Sequence, residues 1–243
     1  MKLRYSSRFL LALTAICALL LMWCANAWTL RHSVDDIRSN GGEVTFDRDG
    51  GMIRKLCSDL FGPHAAYPVQ RIEVRGIHLS PEVLADISQL NSVRRLSIKG
   101  ARIDNFTLLL ICGLGSLKEL WFENCVFDKC SAEDITLPRS LTTLRFQSVD
   151  IGDRCIVRLC SASKVAELSL KGTNFSIDGL NSLNMPSLTR LSIVATNVQT
   201  LPDFGVVEHL PKLSILLIDS NRYPSEVIDR FESKTGINVV ETN

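Results

Sequence analysis

Apolar positions recur along most of this 243-residue chain with a period of about 24 residues. A unit consists of an apolar residue followed by apolar or aromatic residues three, five and ten positions later. Seven such units begin at Val69, Val93, Leu117, Leu141, Val165, Leu188 and Leu213. This number of units at nearly constant spacing predicts a repeat protein, in which each unit buries its apolar side against its neighbours.

The two halves of a unit have different patterns. The first half predicts a short strand with one buried face, because its apolar residues alternate with polar ones. In the early units the second half has apolar residues at three-residue steps, such as Leu84, Ile87 and Leu90, which is helical spacing. Pro138 and Pro186 interrupt the second half in the third and fifth units, where we expect short helices or 3₁₀ turns.

The pattern LxxLxLxxxxL, present in LKELWFENCVF and LTRLSIVATNV, resembles the leucine-rich repeat family over about residues 69–223. The resemblance implies an α/β fold, a right-handed solenoid with a concave parallel sheet and with short helices or 3₁₀ turns on its convex side. The Asn or Cys usual at the ninth position of a unit is mostly replaced, for example by Ile77, Ala101 and Val149. We therefore expect an irregular solenoid.

The segments that flank the repeats predict a cap at each end. Residues 31–68 have the pattern of a helix, a strand and a second helix, over 33–40, 43–47 and 52–61. Residues 224–243 predict a helix that begins at Pro224 and stops at Gly236, then a last parallel strand that would cover the edge of the sheet.

The N-terminal 30 residues have the pattern of a membrane segment. Residues 1–8 contain Lys2, Arg4 and Arg8, and residues 9–30 contain no charged side chain. A helix of 22 residues is roughly 33 Å long, which is enough to cross a hydrocarbon layer of about 30 Å. The basic flank predicts a single-pass signal-anchor, with the C-terminal domain on the extracytoplasmic side. The alternative is a secreted protein, cut after Ala27 in the Ala25–Asn26–Ala27 pattern.

Composition and charge exclude several functions. The chain has 27 basic and 26 acidic residues, and without Lys2, Arg4 and Arg8 the remainder has 24 against 26, so nucleic-acid binding is not supported. No CxxC spacing or His pattern indicates a metal, cofactor or catalytic site. Cys130 and Cys155, which have nearly equal offsets in adjacent units, are the expected pair if a disulfide forms.

In the leucine-rich repeat family the side chains between the buried strand positions face the concave surface, where partners usually bind. Arg71, Arg75, Arg95 and Lys99 would form a basic patch there with only Glu73 among them, or simply a solvated polar face.

Trp121 on the same surface is the best single contact candidate, because a large aromatic side chain is a preferred interface anchor. Arg145 on the next strand is a further contact candidate. The alternative for Trp121 is a local cation–π pair with this Arg145.

The basic N-terminus, the single membrane segment, the cap with Gly41–Gly42 and fragments such as IDGLNSL together resemble bacterial membrane-anchored leucine-rich repeat proteins, which implies the cell envelope. We therefore expect a non-catalytic, membrane-tethered module that binds a protein or an envelope polymer. The alternatives are a scaffold or subunit of an envelope enzyme, or a structural assembly of the envelope.

Overall fold

The structure is a computed structural model. It describes residues 7–47, 55, 57–59, 62–76, 81–128, 135–161, 164–198, 209–220 and 222–242.

Nine strands form the main sheet. They are β1 (Glu43–Phe46), β2 (Val69–Arg75), β3 (Arg95–Lys99), β5 (Glu119–Glu123), β7 (Thr143–Gln147), β8 (Glu167–Lys171), β9 (Arg190–Ser192), β10 (Ile215–Asp219) and β11 (Asn238–Thr242). They lie side by side in chain order, and every neighbouring pair is parallel except β1 and β2. Each predicted unit contributes one strand to the main sheet, so neighbouring strands of the repeats are about 24 residues apart in the sequence.

The apolar template positions form the core. Leu96, Leu120, Leu144 and Leu168 are paired in register across four strands, and each is at most 1% exposed. The other described template residues are also buried, except Phe127, which is partly buried and packs against the core. Burial of this continuous apolar row is the main stabilising force, because no single unit can cover its own apolar side.

Helices and irregular segments connect the strands and cover one face of the sheet. The helices are α1 (Ser7–Ser39), α2 (Pro63–Ala66), α3 (Pro81–Gln89), α4 (Asn105–Cys112), α5 (Asp153–Ser161), α6 (Ile177–Asn181) and α7 (Ser225–Thr235). Two short strands, β4 (Arg102–Ile103) and β6 (Val126–Phe127), form a second parallel pair. In the third unit the described residues before Pro138, which are 135–137, are not helical, and the fifth-unit helix before Pro186 has only five residues.

A left-handed turn occurs in five of the seven repeat units, seven residues after the start of the unit. Gly100, Asn124, Ser148 and Gly172 directly follow their strands, with φ of 63°, 52°, 51° and 62°, and Ala195 at the equivalent position has φ 51°. The N–H groups of the first four donate to carbonyl oxygens of the next unit, such as Glu123 O at 2.8 Å from Gly100 N. This ladder of backbone hydrogen bonds satisfies polar groups at a turn where the repeat mostly lacks the usual Asn side chain.

The N-terminal helix α1 joins the apolar segment to the repeats without a break. Within its residues Thr14–Ser39, an 18-residue window has a mean hydropathy of 1.3. The helix could therefore cross a membrane by length and composition, a test that a signal sequence also passes. Ser33, Val34 and Ile37 near its C-terminal end are buried, and Ser33 Oγ donates to Asp86 Oδ1 of α3 at 3.0 Å. One helix therefore extends from the apolar segment to the first units of the repeat.

The C-terminal elements lie where the sequence predicts them. Helix α7 ends at Gly236, which has φ 71° and donates its N–H to Glu232 O, as expected for a left-handed helix end. Strand β11 pairs in parallel with β10. At the other end, β1 pairs antiparallel with β2. Of the helix predicted over 52–61, the described residues Lys55 and 57–59 are helical.

Candidate functional site

A row of side chains crosses the face of the sheet opposite to the helices, which we call the open face. The register pairs Ser97 with Trp121, Trp121 with Arg145, and Arg145 with Ser169. Neighbouring strands of a sheet lie about 4.8 Å apart. Residues that are 24 positions apart in the sequence are therefore direct neighbours on this surface.

Trp121 lies at the centre of the row and is partly buried. The Cζ atom of Arg145 is 4.6 Å from the centroid of the Trp121 ring, which is cation–π geometry. Arg145 Nη2 also lies 4.0 Å from Glu167 Oε2. The cation–π pair considered from the sequence is thus present, and it covers part of the ring.

Two polar atoms in this region are buried without a hydrogen-bond partner. They are the indole Nε1 of Trp121 and the hydroxyl Oγ of Ser97. Both residues line a small cavity on the open face, together with Arg71, Arg95, Leu96 and Glu119. A buried polar group without a partner is unfavourable by about 1–3 kcal/mol, so this cavity is a point of local instability.

Glu73 is the centre of an ion-pair cluster beside the cavity, and it is only 7% exposed. Its Oε1 accepts from Arg75 Nη2 at 2.8 Å and lies 3.2 Å from Lys99 Nζ. Its Oε2 accepts from Arg71 Nη2 at 3.3 Å. The hydrogen bond from Arg75, with a smaller effect of Lys99, holds the pKa of the Glu73 carboxyl below its ordinary value, although burial acts in the opposite direction.

Two more acids join this cluster from the next strand. Glu119 Oε1 lies 2.9 Å from Arg95 Nε, and Glu123 Oε2 lies 2.9 Å from Lys99 Nζ. Hydrogen bonds to Glu123 and Glu73 raise the pKa of the Lys99 amine. The patch predicted as basic is therefore an ion-pair network, because strand β5 brings two acids opposite two of its cations. Four cations and three acids leave an excess of one positive charge.

Comparison with known proteins supports the repeat type. The sequence is 28% identical over 162 residues to the macaque (Macaca mulatta) protein named NACHT, LRR and PYD domains-containing protein 3, where LRR denotes leucine-rich repeats. The similarity to this relative supports a leucine-rich repeat family for the chain. The match covers 61% of this chain and 15% of the relative, so the chain spans only a small part of that protein.

Known structures and protein-family models show weaker similarity or none. An internalin from Listeria monocytogenes has a TM-score of 0.43 and 16% sequence identity, over 67% of this chain and 50% of the internalin chain. No protein-family model matches the sequence.

The repeats bring all six predicted contact residues to the open face. These are Arg71, Arg75, Arg95, Lys99, Trp121 and Arg145, which lie on four consecutive strands. Their role in binding a partner stays a prediction. Glu119, Glu123 and Ser97 belong to the same surface and were not among the predicted contacts. The constant 24-residue spacing is the signal that could have identified these three residues.

The cysteines of the repeat region differ in state. Cys155 is disulfide-bonded. Cys130, the partner predicted from the sequence, lies outside the described residues, so the pairing stays a prediction. Burial raises the pKa of the Cys112 thiol to about 11 and that of the Cys160 thiol to about 12, which disfavours the reactive thiolate. Within the described part of the chain, no group of three or more His, Cys, Asp or Glu residues could hold a metal ion.

Proposed function

We propose that this chain is a non-catalytic, membrane-tethered binding module that holds a protein partner on the open face of its sheet. Leucine-rich repeat proteins generally act as protein-binding modules. In this proposal the repeats wind as a right-handed solenoid, so that the open face is concave. A protein partner is favoured over an envelope polymer because the centre of the face is an aromatic ring among paired charges, which is typical of protein interfaces.

The observation that carries the proposal is the position of Trp121. Its ring lies in the middle of the open face, is covered only in part by Arg145, and has ion pairs on either side. Trp and Arg are the residue types most enriched among energetic hot spots of interfaces. Surrounding polar groups of this kind can exclude water from a central contact and set the orientation of a partner.

The membrane tether is the second part of the proposal. Helix α1 supplies an apolar segment of sufficient length, and basic residues precede it in the sequence, which favours an N-terminus in the cytoplasm and repeats on the extracytoplasmic side. Cleavage after Ala27 is the alternative. It would retain Ser33, Val34 and Ile37, the part of α1 that packs against the repeats, so a secreted protein would keep this packing.

Site-directed photo-crosslinking in the native host tests the binding function. A benzophenone amino acid at position 121 should capture one protein reproducibly, because position 121 is at the centre of the proposed interface. The matched control is the same amino acid in place of Leu109, which is 55% exposed on α4, on the helix-covered side of the sheet. Capture of one protein from position 121 alone supports the proposal. Equal capture from both positions, or from neither, contradicts it.

Intact-mass measurement of the native protein tests the tether. A mass that includes residues 1–27, in protein recovered from the membrane fraction, is the expected result. The mass of a chain that begins at Trp28 would contradict the tether and support the secreted alternative. An envelope enzyme that is consistently captured from position 121 would favour the alternative role as an enzyme subunit.

A further inference from the structure

The cavity beside Trp121 has unsatisfied hydrogen-bond donors that the binding function described so far does not use. Its two unpaired atoms, Trp121 Nε1 and Ser97 Oγ, belong to residues that are direct cross-strand neighbours. Ser97 is 4% exposed. An indole N–H can only donate, and a hydroxyl can donate as well as accept. The group that would satisfy both atoms at once is a hydrogen-bond acceptor.

The size and charge of the cavity narrow the class of this acceptor. The cavity has a volume of about 20 Å³, which accommodates one oxygen-sized group. Arg71 and Arg95 line it, and their present partners are Glu73 at 3.3 Å and Glu119 at 2.9 Å. Both Arg side chains are about half exposed, with values of 44% and 58%. The pair of Arg95 with the partly exposed Glu119 contributes little to stability. The nearly buried Glu73 keeps Arg75 and Lys99 as partners when Arg71 turns away. Either guanidinium can therefore turn toward a new anion at small cost.

A singly charged anion matches the charges around the cavity better than a doubly charged one. The neighbouring charges leave an excess of only one positive charge, and Glu119 itself lines the cavity. A phosphate group would bring about two negative charges next to that carboxylate. A carboxylate brings one charge, and its two oxygens can accept from a buried donor and from an Arg guanidinium at the same time.

We propose that the Trp121 cavity is the receptor for an acidic side chain, Asp or Glu, of the protein partner. One carboxylate oxygen enters the cavity and accepts from Trp121 Nε1 and Ser97 Oγ, while the other pairs with Arg71 or Arg95. The proposal rests on the binding function above and adds the chemistry of the contact. Neither donor has a hydrogen-bond partner within the protein, so the carboxylate is bound in a position prepared for it.

Three variants of the full chain in detergent test the proposal. Trp121→Phe keeps an aromatic ring and removes the N–H donor, and Ser97→Ala removes the hydroxyl. Ser169→Ala is the matched control, because Ser169 lies in the same row of the open face two strands beyond Trp121. Since Ser97 has an unsatisfied hydroxyl, Ser97→Ala should leave the thermal midpoint unchanged or raise it, so a loss of binding is not a loss of folding.

The probe is a random peptide display library that is selected on the wild-type chain and counter-selected on Trp121→Ala. We expect the enriched peptides to share an acidic residue. Changing this residue to its amide should weaken binding to the wild type roughly ten-fold or more, because a charged acceptor is lost. Trp121→Phe and Ser97→Ala should weaken binding of the acidic peptide by a similar factor, and Ser169→Ala should not. The amide peptide should bind Ser97→Ala and the wild type almost equally, since the interacting pair is already broken.

The remaining outcomes separate the two proposals. Peptides that need Trp121 but no acidic residue would overturn the carboxylate receptor and leave the binding function in place. The receptor is also overturned if acid-dependent binding does not change in Ser97→Ala and Trp121→Phe, which would mean that the cavity holds only a water molecule. Competition by inorganic phosphate that equals competition by acetate would likewise overturn it. A selection that yields no Trp121-dependent peptide would contradict the binding function itself.

Discussion

The left-handed turn that five of the seven units share provides a test in which the sign of the effect depends on backbone conformation. Gly100 and Ala195 occupy equivalent positions in two repeats, with φ of 63° and 51°. We consider two reciprocal substitutions, Gly100→Ala and Ala195→Gly. If the left-handed turn is a fixed requirement of the repeat, the first should destabilise the protein and the second should stabilise it.

The magnitude follows from two opposing effects. A left-handed conformation disfavours a residue with a Cβ atom by about 1–2 kcal/mol relative to Gly. Replacing Gly by Ala also restricts the unfolded chain, which is stabilising by about 0.4–1 kcal/mol. A Cβ atom at Gly100 would meet no atom within 4 Å, so packing adds nothing. We therefore expect Gly100→Ala to lower the free energy of unfolding by about 0.5–1 kcal/mol.

The reverse substitution should raise the free energy of unfolding by about the same amount. The contacts that Ala195 makes through its backbone N–H, to Asp219 Oδ1 at 2.8 Å and to Oδ2 at 2.9 Å, do not involve the side chain and remain in Ala195→Gly. The side chain of Ala195 is exposed, so little apolar burial is lost with its methyl group.

Thermal unfolding of the full chain in detergent, followed by circular dichroism at 222 nm, is the assay. A change of 1 kcal/mol corresponds to a shift of roughly 2–4 °C in a protein of this size. Gly115→Ala is the control, because Gly115 is not left-handed and a Cβ atom there would also meet no atom within 4 Å. This control should stabilise slightly. The reasoning is refuted if Gly100→Ala and Gly115→Ala change the midpoint equally, or if both reciprocal substitutions have the same sign.

Three further predictions concern the charge cluster, the core and the cysteines. Glu73→Gln should lower the free energy of unfolding at pH 7 by about 1–2 kcal/mol, measured by thermal unfolding, because Arg75 and Lys99 lose a buried charged partner. The pKa of Glu73 is lower in the folded than in the unfolded state. Its stabilising effect is therefore complete above the ordinary value of 4.5 and disappears as the pH falls through the folded pKa. An equal difference in stability between the wild type and Glu73→Gln at pH 7 and at pH 2 would contradict this. Phe146→Ala should cost about 3–5 kcal/mol in the same assay, since Phe146 is 0% exposed and stacks on Phe122 at 5.5 Å, and a cost below about 1 kcal/mol would contradict this packing. Peptide mapping without reduction should link Cys155 to Cys130, and a link to any other cysteine would make this pairing wrong.

Much of the fold could be predicted from the sequence, because the repeat is defined by apolar residues, and such residues stabilise a fold by being buried. Leu at equivalent positions of successive units, such as Leu120 and Leu144, has to be buried, and only stacking of the units in register buries all of them. The C-terminal cap was predictable for a similar reason, since Gly236 ends a helix in a conformation that other residues avoid. The antiparallel pairing of β1 was not predictable, because a strand pattern carries no direction.

The candidate site was predictable only in part. The sequence identified Trp121 and the cations of the open face. It predicted a basic patch because Glu119 and Glu123 belong to a different unit from the four cations. Glu119 and Glu123 neutralise Arg95 and Lys99 across strands, and this pairing exists only when two units lie side by side. The unsatisfied atoms of Ser97 and Trp121 were beyond sequence reasoning, since burial of a single atom depends on the rotamers of several neighbouring side chains.

The sequence by itself determined the period of the repeat, the identity of the buried residues and the apolar character of the N-terminal helix. Each of these follows from the hydrophobic effect acting on a regular pattern, which needs no knowledge of distant contacts. The tertiary structure alone decided which charges pair on the open face and which donors there lack a partner. It did so because hydrogen bonds and ion pairs act over a few ångströms, and residues 24 positions apart come within that distance only when the strands are aligned in the sheet.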